Sequence, residues 1–147
     1  QYGKLFTVIK IKTMGNEQDS NSTVTTSNDL RITKFGKIFR RSKIDELPQL
    51  VNIFLGDMSF VGPRPDVPGY ADLLKGDDRI VLSLKPGITG AATLKYRDEE
   101  ALLASKKNPE KYNHEVIYPD KVKINKKYII NYSLLNDVHY IFKTIFH

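Results

Sequence analysis

An α+β fold, mostly helical, in one domain with a small N-terminal β-hairpin or strand element, is predicted by three observations. Apolar residues recur at three- and four-residue spacing in Ile32, Phe35, Ile38 and Phe39, and again in Leu134, Val138, Ile141 and Ile145. β-favouring residues gather near the start, where Phe6, Val8, Ile9 and Ile11 stand among Lys and Thr. The 147 residues are 40% hydrophobic and 27% charged, which suits one globular core over 1–147 with little room for a second domain.

Taken in order, Leu5–Met14 predicts an amphipathic strand, and 15–28, poor in large apolar residues, predicts a mobile loop with a second short strand near Val24. Residues 29–41 predict a helix with a basic outer face, and 31–43 hold six basic residues and no acid. The next helix is expected from Asp45, as N-cap, to Gly56, with Pro48 tolerated in its first turn. Gly62-Pro63-Arg64-Pro65 excludes helix and central strand and predicts a rigid extended piece. A short helix over 67–74, a type II turn at Lys85-Pro86-Gly87 and a short strand over 91–96 are expected next. Pro119 suits the first position of a helix over 119–132, and a final amphipathic helix closes the chain.

Composition narrows the chemistry. The absence of cysteine excludes disulfides, Cys-ligated zinc and a thiol nucleophile. A net charge of +6 favours anionic partners such as phosphate esters, nucleic acid or acidic headgroups. The longest apolar run is the four residues Ala101–Ala104, far short of the roughly 18–20 needed to cross a bilayer, so the chain as written is expected to be soluble. It begins at Gln1 and is read as an excised fragment.

Asp45 and Glu46 form the most informative pair. A carboxylate at a helix start is kept ionised and oriented by free N–H groups and can act as a nucleophile, while its neighbour offers hard oxygen to Mg²⁺. The alternative is an ordinary cap and first-turn acid. Arg64, between two prolines, presents a guanidinium from a restrained backbone and suits a bidentate phosphate contact. Arg40 and Arg41, four to five residues before Asp45, could gather substrate phosphates, or form a solvated helix face. His114, His139 and His147 are scattered without metal-ligand spacing, and the helical spacing of Tyr128, Tyr132, Tyr140, Phe142 and Phe146 favours core packing or a membrane-facing surface over base stacking.

Lys10, Lys12, Thr13 and Met14, then Asn28, Asp29, Arg31, Thr33 and Gly36, then Asp45-Glu46-Leu47-Pro48-Gln49-Leu50, then Met58-Ser59 and Val61-Gly62-Pro63-Arg64-Pro65, then Lys85-Pro86-Gly87-Ile88-Thr89-Gly90, stand in this order. The ordered set resembles the bacterial sugar transferase family, the monotopic polyprenyl-phosphate phosphoglycosyl transferases, over essentially the whole chain. The resemblance implies transfer of a sugar 1-phosphate from a UDP-sugar to undecaprenyl phosphate, with UMP released, Mg²⁺ as cofactor and a covalent phosphosugar intermediate. The product would begin a surface glycan: capsule, O-antigen, exopolysaccharide or glycoprotein glycan. It makes Asp45 the nucleophile, gives Glu46 a catalytic and metal-binding role, and assigns Arg40, Arg64 and, less directly, Lys10 to phosphate.

The implied place is the cytoplasmic face of the bacterial inner membrane, with the membrane surface as a partner, no nucleic acid, and a second copy of the chain kept among the expected partners. The family's N-terminal re-entrant hydrophobic segment does not stand within these 147 residues, in keeping with the expectation of a fragment. Lys12 stands where relatives commonly carry Arg, which removes a forked guanidinium. Ala91–Arg97 departs from the Gly-x-Ala-Gln of many relatives, so sugar choice is not transferable from them. The rival readings are an inactive scaffold of the same family and a basic nucleic-acid-binding module; the latter lacks any module signature.

Overall fold

The computed structural model describes residues 3–15 and 24–146. Most of the expected loop, 16–23, lies outside the described residues, as does His147. Helices dominate, as the apolar periodicity requires, but the regular β-structure lies in mid-chain. The N-terminal segment runs extended and makes one isolated antiparallel bridge, Met14 to Ile32. It is not a regular strand because its polar backbone is satisfied by other means. Asn52, only 1% exposed, accepts from the Ile9 N–H at 2.9 Å and donates to the Thr7 carbonyl at 2.8 Å. One side-chain amide thus takes the place of a neighbouring strand.

Helix α1 spans Lys34–Ser42. Thr33 caps it, its hydroxyl accepting from the Gly36 N–H at 2.9 Å. The helix stops at Lys43, which adopts the left-handed conformation (φ 57°) and donates its N–H to the carbonyls of Phe39 and Arg40. A 3₁₀ turn, Ile44–Glu46, follows, and helix α2 spans only Gln49–Phe54. The expected helix from Asp45 is therefore two pieces. Glu46 and Leu47 donate to the carbonyls of Lys43 and Ile44, three residues back, and Pro48 becomes the residue preceding α2. Gly56, with φ 83°, terminates that helix as expected.

Strands β1 (Ser59–Val61) and β2 (Gly87–Thr89) pair in parallel, with Ser59 opposite Gly87 and Val61 opposite Thr89. The type II turn expected at Lys85-Pro86-Gly87 gives way to this strand, and Gly87 has no positive φ. Its role is close approach: a Cβ there would lie 2.2 Å from the Gly62 nitrogen. Between the strands, the helix expected over 67–74 shortens to a 3₁₀ turn at Ala71–Leu73, followed by a longer one at Gly76–Ser83.

The strand expected over 91–96 is helix α3 (Ala91–Lys95), for which the small Ala91 and Ala92 are good formers. Helices α4 (Glu99–Ala104) and α5 (Pro109–Tyr112) and a π-helical turn at Asn113–Ile117 follow. The two closing helices, α6 (Tyr118–Ile130, with Pro119 in its first turn) and α7 (Leu134–Phe146), match the sequence reading. Val24, Leu103 and Ile117 form a core cluster against which Tyr96, Leu102 and Tyr112 pack. Helix α7 buries none of its residues fully; it is held by the Thr144 hydroxyl at 2.5 Å from that of Thr89 and by Tyr128 donating to Asp137 at 2.6 Å.

Candidate active site

The end of α1, the 3₁₀ turn after it and the Gly-Pro-Arg-Pro segment converge on Asp45 and Glu46. Lys43 is the one non-glycine residue with positive φ among the described residues, a conformation that costs about 1 kcal/mol and turns the chain sharply before Asp45. The Asp45 carbonyl accepts from the Ile11 N–H at 3.0 Å, which ties the N-terminal segment to the same turn. On the other side, Gly62 donates to the Thr89 carbonyl at 2.9 Å and Gly87 to the Pro63 carbonyl at 2.8 Å. A Cβ on Gly62 would meet the Lys85 carbonyl oxygen at 2.5 Å, so glycine is needed for the backbones to close.

Arg64 emerges from that clamp and grips Glu46 as a fork, Nη2 to Oε1 at 2.6 Å and Nη1 to Oε2 at 3.2 Å. The Glu46 side chain is 11% exposed and that of Arg64 42%. Burial resists ionisation of Glu46. The hydrogen bonds and charge of Arg64, helped by Lys43 and Lys10, outweigh it and hold the carboxyl below its usual range.

Asp45 is also buried, and its Oδ1 has no hydrogen-bond partner. Burial, then the charge of Glu46, push its carboxyl above the usual range, while Arg40 and Lys43 pull the other way. Arg40 does not bond to Asp45. Its Nη1 donates to the Thr13 hydroxyl at 3.2 Å, its Nη2 pairs with Glu100 of α4, and its Nε is buried without a partner. Lys10 is exposed on the N-terminal segment and reaches the site through its charge on Glu46. Arg41 is exposed.

The folded chain therefore brings together Asp45, Glu46, Arg40 and Arg64, with Lys10 at the edge. It adds groups that spacing alone did not identify. Glu99 accepts from Lys121 at 2.5 Å, and the Glu99 charge is felt at Arg64. Asp66, beside the Arg64 clamp, is pushed up to about 6 by the desolvation around its carboxyl, against the pull of Lys121 and Arg64. A solvent-open cleft of about 470 Å³ lies between α3 and α4, lined among others by Tyr96, Arg97, Asp98 and Glu99. Among the described residues no group of three or more His, Cys, Asp or Glu could hold a metal ion by itself.

The chain as a whole matches a known set of proteins. A family model described as bacterial sugar transferase matches residues 1–147. The chain belongs to that family. The uncharacterized sugar transferase EpsL of Bacillus subtilis is 42% identical over 97 residues, covering 66% of this chain and 48% of EpsL. The UDP-galactose-lipid carrier transferase of Erwinia amylovora is 36% identical over 118 residues, 80% of this chain and 21% of that protein. The UDP-glucose:undecaprenyl-phosphate glucose-1-phosphate transferase of Escherichia coli is 35% identical over 150 aligned positions, 98% of this chain and 30% of that protein. The chain thus spans less than half the length of each of these three relatives.

Within this sugar transferase chain, the signals for Asn52 and the α4 carboxylates were present but weak. An asparagine amid Leu50, Val51, Ile53 and Phe54 interrupts an apolar helix and must find partners when buried. Glu99 and Glu100 carry no motif that sets them apart in the sequence, and only tertiary contact shows whose charges they meet.

Proposed function

We propose that this chain carries the catalytic centre for transfer of a sugar 1-phosphate from a UDP-sugar to undecaprenyl phosphate, with release of UMP, as a first membrane step of surface glycan synthesis. The observation that carries the reading is a buried carboxylate, Asp45, with an unpartnered oxygen beside two buried or clamped guanidiniums. Relatives named for UDP-glucose, galactose and undecaprenyl phosphate support it.

Asp45 is the nucleophile. A carboxylate oxygen attacks the sugar-bearing phosphorus, and the bond from that phosphorus to the bridging oxygen breaks, its electron pair leaving on UMP. An oxygen of the lipid phosphate then attacks the same phosphorus and the bond to Asp45 breaks, which restores the carboxylate. Burial that raises its affinity for a proton raises its affinity for phosphorus as well. Arg40 and Arg64 offset the charge of the diphosphate, and Lys10 adds a more distant cation. The arginine fork keeps Glu46 ionised and oriented, so the acid beside the nucleophile is fixed in place.

The residues fit Mg²⁺ in a particular way. Each Glu46 oxygen spends one lone pair on Arg64 and keeps another for a hard cation, and Asp45 Oδ1 has no hydrogen-bond partner. Mg²⁺ commonly binds through one or two carboxylates plus substrate phosphates, so Glu46 would hold it together with Asp45 and the donor. When bound, Mg²⁺ would neutralise phosphate charge and polarise the phosphoryl oxygens.

The membrane surface is the second substrate's home. Phe35 and Ile38 on α1, Leu50, Val51 and Phe54 on α2, and Leu134, Leu135, Val138, Phe142, Ile145 and Phe146 on α7 are all exposed. No helix among the described residues is long and apolar enough to cross a membrane. Exposed apolar side chains with basic residues between them suit the cytoplasmic leaflet, where acidic headgroups and acyl chains meet.

The test is UMP release from a panel of UDP-sugars with Mg²⁺ and undecaprenyl phosphate, by this chain and by a version extended through its native N-terminal residues. Lipid-dependent release that Asp45→Asn abolishes while the circular dichroism is preserved is the expected result. Comparable activity in Asp45→Asn would remove the nucleophile assignment, and silence of both forms with every donor would favour a scaffold.

A further inference from the structure

Arg40 is a permanent cation with a side chain only 18% exposed, so an anion must accompany it in every state. Three carboxylates are near. Asp29 feels Arg40 but is committed to Arg31, which donates from Nη2 at 2.7 Å and from Nε at 3.0 Å. Asp45 shares the site with Arg40 yet keeps an unpartnered buried oxygen. The direct partner is Glu100, delivered from α4 sixty residues further along the chain.

Helix α4 does not need that ion pair to stay in place. Leu103, 2% exposed, seats it against Val24 and Ile117, and the Glu100 carbonyl accepts from the Ser27 N–H at 3.2 Å. The Glu100 side chain is 38% exposed, so its carboxylate can leave Arg40 for water by side-chain rotation alone. Arg40 is more enclosed and remains where Thr13 holds it. The arrangement is that of a resident anion on a cation whose other hydrogen-bonding edge, at Nε, is unspent.

We propose that Glu100 is a stand-in for substrate phosphate on Arg40, an internal counter-anion that the diphosphate of the donor replaces, and that it thereby sets the affinity of the site for anionic substrate. The proposal rests on the donor reading given above for the same site. Exchange of one oxyanion for another on a guanidinium leaves the number of charge-assisted bonds unchanged, while the displaced carboxylate regains water. Glu100 acts through Arg40 and is a positioning residue in this scheme.

The experiment titrates inorganic pyrophosphate, and separately a UDP-sugar, into the wild-type chain, Glu100→Gln and Glu100→Ala, with Glu110→Gln on α5 as control. Both Glu100 variants are expected to bind both ligands about tenfold tighter, since a competing charged partner has been removed, and the control to match wild type. In turnover, the donor KM should fall without a matching fall in kcat. Unchanged or weaker pyrophosphate binding would overturn the proposal, and so would a loss of kcat with no gain in affinity, which would show Arg40 turning onto Asp45. A gain for pyrophosphate without one for the UDP-sugar would also overturn it, by removing the donor from the exchange.

Carboxyl-carbon NMR of the wild-type protein guards against a variant that fails to fold. The Glu100 resonance should shift as pyrophosphate is added, and a resonance that stays still at saturation overturns the proposal. Pyrophosphate binding is read without turnover, so a chain inactive with every UDP-sugar would remove the functional reading while this comparison still gave its answer.

Discussion

Arg64 and Glu46 are one unit, because the same fork that would receive a phosphate also keeps a largely buried carboxylate charged. Arg64→Lys keeps the charge and loses the fork. Because the Arg64 side chain is 42% exposed, solvent screens part of the pair, and the substitution is expected to destabilise the fold by only about 1 kcal/mol in urea melts. Its effect on UMP release is expected to be larger, roughly a hundredfold in kcat, as for loss of one preorganised donor at a reacting oxyanion. Asp66 makes the opposite electrostatic statement. Crowding around its carboxyl pushes it up to about 6, although the residue as a whole is exposed. A raised pKa means that the folded state holds a proton the unfolded chain has released, so this contribution is complete below pH about 4 and is lost as pH rises through about 6. Asp66→Asn is expected to remove that decline, and the stability difference between wild type and variant, measured by urea unfolding at acid and neutral pH, should narrow or reverse toward acid. A difference independent of pH would dismiss Asp66 as the titrating group.

Helix α1 depends on what lies under its first turn more than on its own propensities. Gly36 sits where the Thr13 carbonyl oxygen would be 2.1 Å from an added Cβ, with the Thr33 hydroxyl at 2.8 Å. Helix propensity alone favours Ala over Gly by about 1 kcal/mol. Overpacking wins here, and Gly36→Ala is expected to lower stability by roughly 1–3 kcal/mol and to disturb the Thr33 cap and the Arg40–Thr13 contact together. Thermal unfolding of the variant checks the sign, and a rise in Tm would contradict it. Elements also show how much the sequence carried. Pro119 and the apolar stripe of α7 located the two last helices, because a long 3.6-residue pattern needs no tertiary help to be recognised. The sequence of the five-residue α3 predicts a strand, since so short a run carries neither period reliably. The sequence predicts Asp45 as a helix cap, and it lies in a 3₁₀ turn because Lys43 adopts a left-handed conformation that nothing in its side chain announces.

Across the whole molecule, apolar surface is distributed in a way that a small internal core does not explain. Phe54 is 91% exposed and Phe142 61%, on helices far apart in the chain. If these faces rest on acyl chains, replacing both residues by Ser removes about 1.5–3 kcal/mol of transfer free energy at each fully buried position. The double variant is expected to sediment with vesicles containing acidic phospholipid at least about tenfold more weakly than wild type, while retaining its helical circular dichroism. Added salt should weaken the wild type as well, since the basic residues supply the electrostatic part. Equal sedimentation of the variant would separate these side chains from the membrane.

By itself the sequence determined the helical class and the two closing helices, and it pointed to Asp45, Glu46, Arg40 and Arg64 as candidates for chemistry. These rest on local properties: periodicity, the fixed φ of proline, and residue types that suit phosphate. Tertiary structure alone decided the parallel pairing of β1 with β2, the use of Asn52 as a substitute strand, and the partners of each charge. Pairing is set by close backbone approach between distant segments at Gly62 and Gly87. Which anion holds which cation depends on distances that spacing along the chain does not encode, so Arg40 could be proposed for phosphate from the sequence while its resident partner, Glu100, could not be named from it.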